Sequence, residues 1–388
     1  MHGPEGFRVH GGKSDIAMNP SLAVALVLVG AAGLALELGI SSAIAEIVAG
    51  IALAWFYPGI AGLDWLNFLG NLGLLGLMFM AGFEVDIHRL QNTWRASTGI
   101  GIVSLCMPMT GVFLVCRYLI GLEFEPAALM AIGLSTTSLA LVYHALKERG
   151  VLEDDFGQIV LGAATVVDIL SMILLTALLG DIGWSTGIFL LVLIPTIFGL
   201  PRIGGWIFRR YKGSIVEFEM RFLMVLLISM GFMAEHIGGI HPAVIAFILG
   251  LIMAEVVEEH AEVEEKMKGV VFSLFAPVFF LQSGARLDVG LITLDLLWIF
   301  ALLAVTALGL KFAGTALATK WLVGHSGRFV GLLFNYRLSF GIVAATVGLK
   351  AGIIDKAQYS IILLVVICGA ILPAIFLRQR PNELDTPD

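Results

Sequence analysis

Residues 39–54 read GISSAIAEIVAGIALA, and residues 239–254 read GIHPAVIAFILGLIMA. At an offset of 200, Gly39, Ile40, Ala43, Gly50 and Ala54 recur as Gly239, Ile240, Ala243, Gly250 and Ala254. Further on, GFEVD (82–86) is echoed by GARLD (284–288). Two greasy helices can look alike through composition alone. Two pairs in the same order at nearly the same offset point instead to an internal duplication.

The rest of the chain supplies the setting. Of 388 residues, 59% are hydrophobic and only 14% charged, with a mean hydropathy of +0.96. A soluble domain carries about 25% charged residues. So much apolar side chain does not fit inside one globular core, and a polytopic membrane protein is the class that remains. The net charge of -7 lies mostly in loops and tails and argues against a nucleic-acid partner. Cys106, Cys116 and Cys368 lie in apolar stretches without metal-ligand spacing and read as small hydrophobes. The first twenty residues, with Gly, Pro, His and charges, do not read as a signal peptide.

Apolar runs of about 17–25 residues number roughly thirteen, centred near residues 29, 49, 75, 109, 138, 168, 192, 228, 249, 277, 303, 338 and 367. The two copies then fall on spans two and three and on spans nine and ten. A shift of seven spans is odd, so the copies have opposite orientation in the membrane, the inverted-repeat plan of secondary transporters. The predicted fold is all-α, with crossed, broken helices and inverted repeats over about 20–180 and 218–378, joined by a linker helix at about 184–210. Residues 1–19 form a tail, 20–378 the membrane domain and 379–388 a second tail. Loops on one side hold fifteen Lys and Arg and those on the other hold six. The positive-inside rule then puts the N-terminus outside and the C-terminus in the cytoplasm of a cell-membrane protein.

The repeat directs attention to span five, where LSTTSLAL (134–141) places hydroxyls in an apolar helix, and to its counterpart, span twelve, where FNYRLSFG (334–341) is polar at comparable depth. Broken helices there would free carbonyls for a cation and oppose half-helix ends. The bland alternative for LSTTSL is hydroxyls bonding back to the preceding turn. Three ionisable groups stand out inside spans: Asp168, Lys311 and Arg337. Each costs about 2.5–3.5 kcal/mol on insertion scales, so each needs a reason. A buried carboxylate exists either protonated or with a bound cation, and these states exclude each other. One carboxylate can therefore exchange a proton for a cation. The competing reading of Asp168 is an ion pair with Lys311 that only fixes packing. Arg337, which does not give up its proton, reads as structural support. Histidines 88, 144, 236, 241, 260 and 325 fall near span ends or in loops and read as interfacial. The acidic run AEVVEEHAEVEEKMKG (254–269) reads as an amphipathic connector, with a regulatory cation or proton sensor as the alternative. No catalytic pair, phosphate-cradling loop or metal-ligand cluster is visible, so neither an enzyme nor a bound cofactor is expected.

From about residue 20 to 378 the chain resembles the membrane domain of the monovalent cation:proton antiporter-2 family, which includes NapA-like sodium/proton and Kef-like potassium/proton exchangers. The resemblance rests on AEIVAGIALA (45–54), LGLMFMAGFEVDIHRL (75–90), LSTTSLALVYHALKERGVL (134–152), GAATVVDIL (162–170), IHPAVIAFILGLIMAE (240–255) and FAPVFFLQSGARLDV (275–289), the last being the most specific. It implies a core of spans four to six and eleven to thirteen moving like an elevator past a scaffold of spans one to three and eight to ten, in a homodimer. It implies that Asp168 alternates between H+ and Na+ or K+, that Ser135, Thr136 and Thr137 complete the coordination, and that Lys311 sets the electrostatics and pairs with Asp168 when no ion is bound. Two departures stand out. Many sodium-transporting relatives have two aspartates on span six, where this chain has Val167 and Asp168. Relatives often show Arg-Gly-Glu on span twelve, where this chain has Arg337, Leu338 and Ser339. One carboxylate implies one cation per proton, an electroneutral exchange, with a tilt toward potassium or mixed selectivity. No nucleotide-binding domain follows span thirteen, so Kef-type ligand gating within this chain is not expected. The rivals are a sodium-coupled organic-anion symporter of the same architecture and a sensor or structural homologue that has lost transport.

Overall fold

A computed structural model describes residues 19–378 except 85–86, 153, 181–182, 212–215, 258–260, 292 and 326. Of the predicted tails, residues 1–18 and 379–388 lie outside the described residues, as do His260 and the side chain of His88. Among the described residues the regular structure is entirely helical. Nine helical stretches there are long and apolar enough to cross a membrane, and shorter apolar helices cover 42–56, 124–133, 242–254 and 339–350.

The first three passes are α1 (Pro20–Leu38), α2 (Ser42–Phe56) and α3 (Asp64–Phe83). The start of α1 follows from its sequence: Asn19 caps the Ser21 N–H at 2.9 Å, Pro20 takes the first position, and Gly39 closes the helix at a φ of 64°. Next come α4 (Ile87–Leu114), extended by π-helical turns at 115–120, then the half-helices α5 (Phe124–Gly133) and α6 (Leu139–Glu148), then α7 (Asp155–Leu179). A connecting helix, α8 (Trp184–Tyr211), leads to α9 (Phe218–Met233) and α10 (Pro242–Val257). A single pass is built from α11 (Ala261–Val270), π-helical turns at 271–275 and α12 (Ala276–Ala285). It is followed by α13 (Leu294–Val323), the half-helices α14 (Gly327–Leu333) and α15 (Ser339–Lys350), and α16 (Lys356–Arg378). With the half-helices joined, these make thirteen passes, and all thirteen expected centres fall within them.

The repeat is visible in the packing. α2 lies on α12 and α3 lies on α10. Exchanging the repeats turns one pair into the other. The glycines of the sequence echo make both crossings. A Cβ on Gly50 would sit 2.0 Å from the Leu281 carbonyl oxygen, and one on Gly284 would sit 2.0 Å from that of Ile47. In the second crossing, Gly250 meets the Phe79 oxygen and Gly82 the Phe247 oxygen, again at 2.0 Å. Backbones this close need residues without side chains, and membrane helices associate through such contacts because lipid supplies no hydrophobic drive between them.

The helices sort into two bundles. α1–α3 and α8–α12 pack among themselves, and α4–α7 and α13–α16 do likewise. Among the described residues, α15 on α3 is the one substantial helix contact between the bundles.

Two predictions follow from this packing. Gly50→Ala and Gly250→Ala should each destabilise the protein by about 1–3 kcal/mol through overpacking, read as a lower melting temperature in detergent. Gly30→Ala, where a Cβ meets nothing within 4 Å, should leave it unchanged. The second concerns His241, in the turn before α10. The Ala243 N–H donates to its Nδ1 at 3.2 Å, a bond that protonation would forbid. Burial, reinforced by the Lys350 charge, pushes its pKa down to about 4. A depressed histidine favours the neutral folded form, so its stability is full above the unfolded value of about 6.5 and drains away as pH falls toward 4. A melting-temperature series across that window should be flatter in His241→Asn, which caps without titrating.

Candidate ion site

Spans five and twelve are interrupted where the sequence is polar. Residues 134–138 separate α5 from α6, and residues 334–338 separate α14 from α15. Every side chain of 134–138 is buried, so each exposed carbonyl needs a partner inside the protein. The two breaks serve each other. The Ser138 N–H donates to the Tyr336 oxygen at 2.8 Å, and Thr137 Oγ1 donates to the Phe334 oxygen at 3.1 Å. Arg337, fully buried, donates to the Leu134 oxygen, to the Ala307 oxygen at 2.8 Å and to Asn335 Oδ1 at 3.3 Å. Asn335 in turn donates to the Gly331 oxygen at 3.0 Å and the Leu308 oxygen at 3.3 Å.

The hydroxyls expected to face an ion are engaged as donors. Ser135 Oγ bonds back to the Ala131 oxygen at 2.6 Å, and Thr136 Oγ1 bonds back to the Gly133 oxygen at 3.2 Å. Back-bonding therefore describes these two, while Thr137 links the two breaks. Each oxygen keeps lone pairs that can accept a cation. The expectation of free carbonyls needs correction at four positions, because those of Leu134, Ser135, Phe334 and Tyr336 are already occupied.

Lys311 requires a second correction. It makes no ion pair with Asp168 within 4.0 Å. Its buried ammonium donates instead to the Ser135 oxygen at 2.6 Å and lies 5.9 Å from the centre of the Phe334 ring. The C-terminal end of α5 carries the negative pole of a half-helix, and the break leaves its carbonyls bare. An amine on α13 finds there both charge and acceptor.

Asp168 lies midway along α7 and is 6% exposed, whereas Val167 is fully buried in the apolar core. The two point to different sides of the helix. Among the described residues Asp168 has no hydrogen-bond or ion-pair partner. One turn on, Ser171 Oγ is also buried without a partner, and spacing of three puts both on one face. The charges that act on Asp168 are those of Glu84, at the end of α3, and Lys311. Glu84, Ser171 and a further intramembrane carboxylate, Glu46 on α2 (3% exposed), were not singled out from sequence. Glu46 and Glu84 lie near helix ends, where a carboxylate makes no distinctive pattern, and Ser171 is one small residue among many.

The sodium/hydrogen exchanger transmembrane family model matches residues 23–378. The chain belongs to that family. It is 30% identical over 346 residues to a Methanocaldococcus jannaschii protein described as probable Na(+)/H(+) antiporter 3, covering 84% of this chain and 87% of the relative. It is 26% identical to the Na(+)/H(+)-K(+) antiporter GerN of Bacillus cereus, covering 93% and 96%. The fold is similar to the structure of the sodium proton antiporter MjNhaP1 from M. jannaschii at pH 8, with a TM-score of 0.67 at 14% identity, covering 93% of this chain and 95% of that one.

The crossing predicts its own sensitivity. Arg337→Leu strands the Leu134 and Ala307 carbonyls and Asn335 Oδ1, at about 1–3 kcal/mol for each buried unsatisfied group. It should lower the melting temperature sharply, with Arg337→Lys intermediate because an ammonium cannot reproduce the fork.

Proposed function

We propose that this exchanger moves a monovalent cation, Na+ or K+, against H+ across the cell membrane, with Asp168 as the shared site. The observation that carries this reading is a single mid-membrane carboxylate without a protein partner, in a bundle built around two broken helices. A carboxylate so placed must take a proton or a cation, and it cannot hold both. Ser171 and the hydroxyls of Ser135, Thr136 and Thr137 are oxygen donors suited to a hard cation. The antiporter names of the relatives support the exchange, and the Na+/H+-K+ name of GerN supports use of either ion. No enzymatic step and no cofactor enter this reading.

Lys311 keeps its proton and stays on the Ser135 carbonyl, so only Asp168 changes charge in a cycle. One cation then replaces one proton and the exchange is electroneutral. Within the exchanger family, the resemblance of the motifs at 75–90 and 275–289 is what supports the monovalent cation:proton antiporter-2 branch. The bundle α4–α7 with α13–α16 serves as the mobile core, and α1–α3 with α9–α12 as the scaffold and homodimer interface. The excess of Lys and Arg on alternate loops puts the N-terminus outside and the C-terminus in the cytoplasm.

In proteoliposomes with a pH dye, sodium or potassium should drive proton flux, and Asp168→Asn should reduce it to the level of protein-free vesicles. At a fixed potassium gradient, the sodium-driven flux should be the same with and without the valinomycin that turns that gradient into a voltage. Full exchange by Asp168→Asn would refute the site, and flux that tracks voltage would refute the stoichiometry.

A further inference from the structure

The two bundles meet at one membrane face through specific polar contacts. Lys350, at the end of α15, donates to Asn71 Oδ1 on α3. Tyr359, fully buried on α16, donates its hydroxyl to the backbone oxygen of Ser283 on α12 at 2.7 Å. Ser283 lies in the last turn of α12, where helix carbonyls lack partners within the helix. Tyr359 therefore supplies from one bundle what the other bundle lacks.

The receiving side is braced. Asn67, one turn before Asn71, takes the Gln282 amide at 2.6 Å and the Arg286 guanidinium at 2.9 Å on its Oδ1. Gln282 also donates to the Ala61 oxygen at 3.3 Å and fills the space over Gly70. Asn67, Gln282 and Arg286 thus tie α3 to α12 within their own bundle and hold Asn71 and the Ser283 carbonyl in position. All these groups lie where α3 begins, α12 and α15 end, and α16 begins.

We propose that Tyr359–Ser283 and Lys350–Asn71 form a two-point latch that seals this face and must release each time the bundles move past one another. This rests on the exchanger reading above only for the purpose of the movement. Direct contacts between bundles otherwise built to pack separately are the bonds that a relative movement must break. Their acceptors, a backbone carbonyl and an asparagine oxygen, do not titrate, so the latch does not depend on the protonation of a carboxylate.

The test is cysteine accessibility. Cys106, Cys116 and Cys368 are replaced by alanine, and Ser283→Cys is introduced, which is 1% exposed in the closed latch and keeps the backbone acceptor. Labelling by a membrane-impermeant maleimide is timed from each side, alone and with Tyr359→Phe or Asn71→Leu. Each latch variant should raise the rate about fivefold, the value of one ordinary hydrogen bond, and from one side only. Ser104→Cys, in the other bundle, should not change, which separates opening from unfolding. Unaltered Ser283→Cys labelling in both variants overturns the latch, as does an equal rise at Ser104→Cys. Exchange is measured on the same proteins. Faster one-sided labelling without any cation-driven proton flux supports the latch and refutes the exchanger reading. Asp168-dependent flux with unchanged labelling does the reverse.

Discussion

Everything at the centre of this molecule depends on satisfying backbone carbonyls that two broken helices expose inside a membrane. In hydrocarbon an unpaired peptide group costs several kcal/mol. The chain meets that demand by crossing the breaks. Thr137 donates to the Phe334 oxygen, and Arg337 donates to the Leu134 oxygen. At the repeat offset of 200 these are one interaction made twice: 137 corresponds to 337, and 134 to 334. One copy uses a hydroxyl and the other a guanidinium, which has further hydrogens for Ala307 and Asn335. The breaks are thus a mutual arrangement, and neither half-helix pair is complete without the other.

Much of this was legible in the sequence, because it is written in periodic or compositional terms. The apolar runs located the thirteen passes. The recurrence of Gly50 at Gly250 identified the duplication, and the structure puts those glycines at close backbone crossings. The polar runs LSTTSL and FNYRL marked the interruptions. What was hidden is where donors end up in space. Lys311 was expected on a carboxylate and lies on the Ser135 carbonyl, a choice that depends on the end of α5 pointing at α13. The charge of Glu84, at the end of α3, reaches Asp168 from the other bundle, a relation that no local pattern encodes.

The solitude of Asp168 also takes on a geometric meaning. A second acid at position 167 would not stand beside the first. It would project into the packed interior where Val167 is wholly buried. There a carboxylate needs a cation as partner or costs several kcal/mol. In this chain no acid is present at that position, and Lys311 donates to the Ser135 carbonyl instead of to a carboxylate. The substitution and the lysine's position form one consistent local solution.

The frame is symmetric but its charges are not, and the asymmetry gives the site a single address. At an offset of 200, Asp168 corresponds to Cys368, Lys311 to Gly111 and Arg337 to Thr137. The first repeat holds the acid and the second holds both cations. Had the pattern been duplicated with the fold, two carboxylates and two lysines would lie near one midplane. Either proton or cation would then have two alternative places, each with its own counter-charge. In the proposed exchange, confining the acid to one repeat leaves one place for a mobile cation. The fixed cations occupy carbonyls of the first repeat's break, so the protein's own positive charge holds that structure together in the absence of any ion. A mobile ion then need not complete the fold in order to bind. In the proposed exchange it has only to compete with a proton for Asp168, because the hydrogen bonds that close the two breaks do not involve that carboxylate.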